Sequence, residues 1–407
     1  MSTETTEARS SEARHCDRVA PILQIPREVT SEIFQHGLPE DEYPKPSVKS
    51  APVQLTRVCS AWRKVAIWTP RLWSKVSLCT RNSHFTDANG YFISNMESHV
   101  EVLRVWMERA TPLPLSVHLR YTPLPWLDES AMRIEALLPV FRVMVENAAR
   151  WKDLRLGMPR NYLSCALRLI QRNATNLETL NIEDPSIPEF GRLLGYKYHV
   201  HLDGDVAETL STLSVRAPVR YTSRNPAPFV RLRTLSLQHT LPENCLHLLK
   251  YCAVLEDLSL HFCEWRGSSM PLPTSTILLP QLRNFHLSHT GYGEYGCPSN
   301  AVGPLNEIGE LLDSFRSPEL RGFYLLETVV GMGPVRQWAY LSRLITRSNC
   351  SLNELELNTT HIEPSSVLKC LQLSPDLKYL CIPSDNALRE DDVRPLLPSL
   401  QSLRVFK

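Results

Sequence analysis

From residue 151 onward the chain repeats one arrangement of apolar and polar positions, Φ-x-x-Φ-x-Φ with Φ apolar. The first five copies are WKDLRL (151–156), LETLNI (177–182), LSTLSV (210–215), LRTLSL (232–237) and LEDLSL (255–260). Five more follow: LRNFHL (282–287), LRGFYL (320–325), LNELEL (352–357), LKYLCI (377–382) and LQSLRV (400–405). Start-to-start spacings run from 22 to 38 residues. The closing x-Φ-x-Φ has period two, so its two apolar residues face one side of a strand, and the first Φ covers the same core from the turn before it. Between copies the period becomes helical: Cys245, Leu246, Leu249 and Cys252 form one stripe, and Ile308, Leu311, Leu312 and Phe315 another.

Strand and helix alternating at this period are the signature of a leucine-rich-repeat solenoid, an α/β fold with parallel strands on its concave face and helices on its convex face. The alternation continues more loosely upstream, with a helix over 99–110, a strand over 114–119 and a helix over 130–149. WSKVSL, residues 73–78, supplies a first strand, which gives a solenoid over 74–407. Thirty-one prolines fit many short elements joined by tight connections.

The N-terminus has a different pattern. Residues 1–20 are polar, lack the apolar centre of a secretory signal and read as a disordered tail. Residues 22–38, ILQIPREVTSEIFQHGL, predict a short amphipathic helix with Pro26 in its first turn, Glu28 at the positive dipole end and Gly37 as a left-handed stop. A second helical stripe over 52–68 holds Leu55, Val58, Cys59, Trp62, Val65 and Ala66, followed by Thr69 as a cap and Pro70 at a first helical position. About 50 residues with so few helices bury their apolar surface poorly. The short helix is therefore expected to lie against another protein, or to cap the repeats.

Ile25, Pro26 and Glu28, then Ile33 and Phe34, then Val58, Cys59, Trp62, Arg63, Val65 and Ala66 with a trailing Trp68 resemble an F-box. PRLWSKVSL resembles the segment that leads from the F-box into repeats in many fungal F-box proteins. The resemblance covers residues 21–73 and implies docking to the small adaptor subunit of a cullin–RING ubiquitin ligase. It implies an adaptor-binding set of Ile25, Pro26, Val29, Ile33, Phe34 and Leu38, with Trp62 holding the helices together. The connection at 39–52 is longer and richer in proline than the family's, and Ile25 stands where the family usually has leucine. The implied function is an SCF-type substrate receptor that captures an unknown target protein on its repeats. The alternative is a repeat scaffold whose N-terminal helices only cap the array.

Composition narrows the rest. With 44 basic and 43 acidic residues among 407, a basic nucleic-acid face is not expected. No apolar run reaches about 18 residues, so no membrane span is expected. Eleven cysteines, odd in number and without a C-x-x-C pair, read as reduced thiols in the cytoplasm or nucleus. No phosphate-binding loop or nucleophile elbow is present, so no catalytic residue, cofactor or metal is expected. A cysteine-dependent hydrolase lacks a recognisable Cys/His context. The concentration of His239, Cys245, His247, Cys252, His261 and Cys263 has no ligand spacing, and HLDGD (201–205) reads as a surface turn. The insertion at 288–304, with Tyr292 and Tyr295, is either a disordered or a binding loop. Target specificity is expected at exposed strand positions such as Asn181, Ser236, Ser259 and Glu356.

Overall fold

The computed structural model describes residues 21–39, 43–79, 88–121, 135, 137–171, 173–185, 200–203, 208–217, 219–222, 229–239, 242–263, 276–291, 304–329, 337–359, 361–383, 388 and 390–406. The expected tail at 1–20, residues Gly204 and Asp205, and Tyr292 and Tyr295 lie outside them. The chain divides into two compact units, Met1–Leu78 with Ser98–Val117, and Cys79–Glu97 with His118–Lys407. The first unit therefore takes in 98–117 as well as the expected helical segment.

The first unit holds helix α1 (Arg27–His36), helix α2 (Ser60–Ile67), strand β1 (Lys75–Cys79) up to Leu78, the end of helix α3 (Ala88–Arg109) and the start of strand β2 (Leu115–Arg120). Helix α1 packs Thr30 and Phe34 inward, and the Phe34 ring lies 4.9 Å from that of Trp62. The Thr69 hydroxyl donates to the Val65 carbonyl at 2.7 Å, so at the 3.0 Å Ser31–Thr69 contact it is Ser31 that donates. Trp73 is buried, donates from Nε1 to the Ala66 carbonyl at 2.8 Å, meets Trp106 edge-on at 4.8 Å and carries the Arg109 guanidinium 4.3 Å above its ring. The 39–52 connection is tied down where it is described: Tyr43 and Pro44 are buried, and Ser77 N–H donates to the Pro44 carbonyl at 2.8 Å.

Three local expectations are corrected here. The 52–68 stripe is not one helix: a 3-10 turn over Leu55–Arg57 gives way to an extended Cys59, whose Sγ accepts from Trp62 N–H and caps α2. That break turns Val58 to solvent. Gly37 has φ −80°, so α1 stops on a right-handed turn with its N–H shared between the Ile33 and Phe34 carbonyls. Thr69 precedes a 3-10 turn at Pro70–Trp73 but spends its hydroxyl on Val65 rather than on a cap.

In the second unit every copy of the motif is a strand. In order they are β3 (Trp151–Gly157), β4 (Thr179–Glu183), β6 (Thr212–Arg216), β8 (Thr234–Gln238), β9 (Asp257–Cys263), β11 (Asn284–Gly291), β13 (Gly322–Val329), β14 (Glu354–Asn358), β15 (Tyr379–Pro383) and β16 (Ser402–Phe406). They pair in parallel with motif positions aligned: Leu213, Leu235, Leu258, Phe285, Phe323, Leu355, Leu380 and Leu403 share one row. Before each strand a backbone ladder joins equivalent residues, from Glu178 N–H to the Lys152 carbonyl through to Gln401 N–H to the Lys378 carbonyl, each step 2.7–2.9 Å. The first Φ of each inner copy, from Leu177 to Leu377, is buried under that ladder.

Helices α4 (Leu138–Glu146), α5 (Arg160–Gln171), α6 (Pro242–Leu249), α7 (Pro304–Asp313), α8 (Tyr340–Ser348), α9 (Pro364–Gln372) and the short α10 (Glu390–Val393) bury their apolar stripes with the inward strand residues. The helix expected over 130–149 is shorter, and Ala148–Arg150 is a 3-10 turn. Two short parallel pairs form separate two-stranded sheets: β5 (Val200–Asp203) with β7 (Val219–Thr222), and β10 (Ile277–Leu278) with β12 (Phe315–Arg316). Phe315, expected on a helical stripe, belongs to β12 and meets Phe285 edge-on at 5.9 Å. The last copy differs from the rest, with Leu400 and Leu403 half-buried and Val405 exposed.

Candidate functional site

The six residues expected to face an adaptor separate by exposure. On α1, Val29 and Ile33 are one turn apart and 49% and 52% exposed. Pro26 is exposed beside them, and Ile25 and Leu38 are half-buried at the two ends of the helix. Phe34 is different: at 2% exposure, with its ring on Trp62, it belongs to the interior of the unit. Its side chain holds α1 against α2 and is not part of an outward surface. Trp62 has the role expected of it.

Exposure also marks a residue that the helical period alone does not single out. Trp68, the C-cap residue of α2, is 83% exposed, and Val58 is 57% exposed. A tryptophan in water is costly by area and is the residue type most enriched in protein-binding hot spots. Its signal in the sequence is its place as the trailing Trp of the motif, just after the α2 stripe ends.

The second surface is the open face of the ladder. The x between the last two Φ of each copy falls in a single row: Arg155, Asn181, Ser214, Ser236, Ser259, His286, Tyr324, Glu356, Cys381 and Arg404. Asn181, Ser236, Ser259 and Glu356 thus share this row, on β4, β8, β9 and β14, and each is half-buried where an exposed position was expected. From β6 to β9 the row is three serines, a low floor. At β11 it rises into an aromatic step, with His286 stacked on Tyr324 at 4.1 Å and 4° between planes. Beside the step, Asn284 Nδ2 donates to Asp257 at 2.7 Å. Burial lowers the His286 pKa, and Asp257, Glu356 and Glu354 oppose that shift.

Four of the described thiols are held neutral by burial. Burial pushes the Cys350 thiol up to about 11 and Cys370 up to about 12, and raises Cys252 and Cys381 as well, whereas an activated thiolate needs its pKa lowered. Cys59, Cys79, Cys165, Cys245, Cys252, Cys350, Cys370 and Cys381 are free thiols, and Cys245, Cys252, Cys370 and Cys381 are buried. Among the described residues no three His, Cys, Asp or Glu side chains converge as metal ligands. His239 and His261 meet as an aromatic pair at 6.1 Å, and Cys245 and Cys252 lie in the α6 region core. Of HLDGD, residues 201–203 are strand β5. Of the 288–304 insertion, residues 288–291 extend β11 and Pro304 opens α7. Among the described residues no helix is long and apolar enough to cross a membrane.

No family model matches this sequence, and no curated protein matches it. Among solved structures, the one described as the crystal structure of the Rad7 and Elc1 complex in yeast has a chain that is 12% identical at a TM-score of 0.38. The match covers 100% of this chain and 94% of that one. At that score the likeness supports no conclusion about fold or role.

Proposed function

We propose that the chain is a substrate-receptor subunit of an SCF-type cullin–RING ubiquitin ligase. The observation that carries this reading is the outward pair Val29 and Ile33 on α1, together with the exposed Trp68, in a unit that buries Phe34, Leu72 and Trp73. These residues would dock the adaptor, and the open ladder face would capture the target protein. The subunit itself would perform no chemistry: it would raise the concentration of target beside a recruited conjugating enzyme.

The second reading, a cap on a repeat scaffold, draws support from the contacts that tie the helical segment to β1, such as Ser77 to Pro44. One experiment separates the two. The full chain is titrated with the purified adaptor subunit by calorimetry, alongside Val29→Asp/Ile33→Asp and Pro26→Ala variants. Saturable binding by the wild type, lost in the double variant with its unfolding transition unchanged, supports the receptor. No binding by the wild type leaves the scaffold.

A further inference from the structure

The polar surroundings of the exposed apolar residues define a partner chemistry. Two contiguous grooves, of about 280 and about 370 Å³, run between α1 and α2. Arg27, Lys64 and Val65 line both, with Ile22 and Ile25 in the first and Trp68 in the second. Among the described residues neither the Arg27 nor the Lys64 side chain has a hydrogen bond or an ion pair, and both are exposed. Glu28 lines the second groove alone, so the stretch common to both presents two cations and the second groove adds one carboxylate.

The segment that carries the grooves has the same sign of charge. Residues 21–78 carry eight lysines and arginines against five acidic residues, a formal charge of +3 where the whole chain has +1. The acidic stretch 40–42 lies outside the described residues. Two cations at the centre of a cleft whose ends are isoleucine and tryptophan suit a protein segment with carboxylates between apolar side chains. They do not suit a phosphate backbone, which calls for a continuous row of cations and no large apolar ends.

We infer that this cleft is a second part of the docking surface beyond Val29 and Ile33, and that it takes an acidic segment flanked by apolar residues from the adaptor. This rests on the receptor reading above. Arg27 and Lys64 then meet the partner's carboxylates, which speeds encounter and fixes register, and Trp68 supplies the apolar anchor.

The test uses the full chain and the purified adaptor, with affinity by calorimetry and association rates at low and high salt. Arg27→Glu/Lys64→Glu is expected to weaken binding by about 10- to 100-fold, mostly through a slower association that loses its salt dependence. Trp68→Ala is expected to weaken it by about 10-fold or more, through faster dissociation. All three side chains are exposed, so the unfolding transition should not move, and that control is read on the same samples. Suppose instead that the charge-reversed variant binds within twofold of wild type with the same salt dependence, while Val29→Asp/Ile33→Asp abolishes binding. The inference about the cleft is then overturned and the receptor reading stands. If the wild type binds no adaptor, both fall.

Discussion

Tyr324 reaches across Gly322 to donate its hydroxyl hydrogen to the Glu354 carboxylate at 2.5 Å. The register explains the geometry: Gly322 pairs with Asn284 on one side and Glu354 on the other, and Tyr324, two residues on, projects from the same face. A Cβ at 322 would stand 2.8 Å from Asn284 Oδ1 and 2.9 Å from Tyr324 Cε2. Only a glycine leaves the space in which the ring lies. Gly322→Ala should therefore cost ~1–3 kcal/mol in denaturant unfolding, as overpacking does. Tyr324→Phe, which removes a hydrogen bond to an exposed carboxylate, should cost about 1 kcal/mol. The two sites should couple, the alanine costing less when Tyr324 is also replaced by alanine. Additive losses would show that the ring does not depend on the gap.

A second glycine yields a prediction of sign. Gly309 lies within α7, where alanine normally stabilises a helix by ~0.5–1 kcal/mol. Here a Cβ would come within 2.2 Å of Tyr340 Cδ2, and Arg343 holds that ring from above at 4.4 Å. Gly309→Ala is expected to lower stability by ~1–3 kcal/mol. In a Tyr340→Ala background the same change should become neutral or stabilising. Thermal unfolding of the three variants checks it, and a stabilising Gly309→Ala on its own would refute close packing of α7 on α8.

Much of this architecture is legible in the sequence because the period-two motif is written out ten times, and each copy is a strand. Where the pattern misleads, a local backbone event intervenes. Cys59 turns extended to cap α2, so a stripe that fits one long helix is split and Val58 emerges. Phe315 fits the α7 spacing but follows Ser314, whose N–H closes the helix on the Leu311 carbonyl, and it enters a two-residue strand instead. The polar residues buried at the strand ends, Asp184, His239, His289 and Thr359, carry no sequence signal of burial. They continue the inward alternation of their strands past the last leucine, where a polar residue reads as a turn. The outward positions Val29 and Ile33 are legible as one face of α1. What a periodicity cannot supply is which of Ile33 and Phe34 turns inward, since both fit the stripe, and only the position of Trp62 decides.

Two of those buried residues set a pH dependence. His239 and His289 are each lowered to about 4, chiefly by burial. His261 and Arg216 add to the effect at His239, and at His289 Glu327 opposes it while His261 adds. In the unfolded chain both titrate near the ordinary 6.5. Between the two values the unfolded state binds protons that the native state refuses, so stability rises with pH across that window. Their contribution is complete above about 6.5, declines as the pH falls from there, and is fully lost below about 4. The unfolding free energy should therefore drop between about pH 6.5 and about pH 4 with a slope that includes up to about two protons. His289→Gln should reduce that slope by about one proton relative to wild type, a comparison in which the carboxylates common to both chains cancel. Equal slopes would mean that His289 is protonated in the native state.

The assignment of α1 residues to inside and outside yields a contrast between neighbours. Phe34 fills the space between α1 and Trp62, and truncating a buried phenylalanine to alanine costs ~3–5 kcal/mol. Ile33 is half in water, so Ile33→Ala should change stability by no more than ~0.5 kcal/mol. If the helix exists to be covered by a partner, the order reverses in a binding assay. Ile33→Ala should weaken adaptor binding by about 10-fold without moving the unfolding transition. Phe34→Ala, by contrast, should weaken binding only as far as it loosens α1, and lowering the temperature to restore the fold should restore affinity. Parallel calorimetric titrations and unfolding curves at two temperatures make the comparison. A Phe34→Ala chain that is as stable as wild type, yet blind to the adaptor at both temperatures, would place Phe34 in the interface after all.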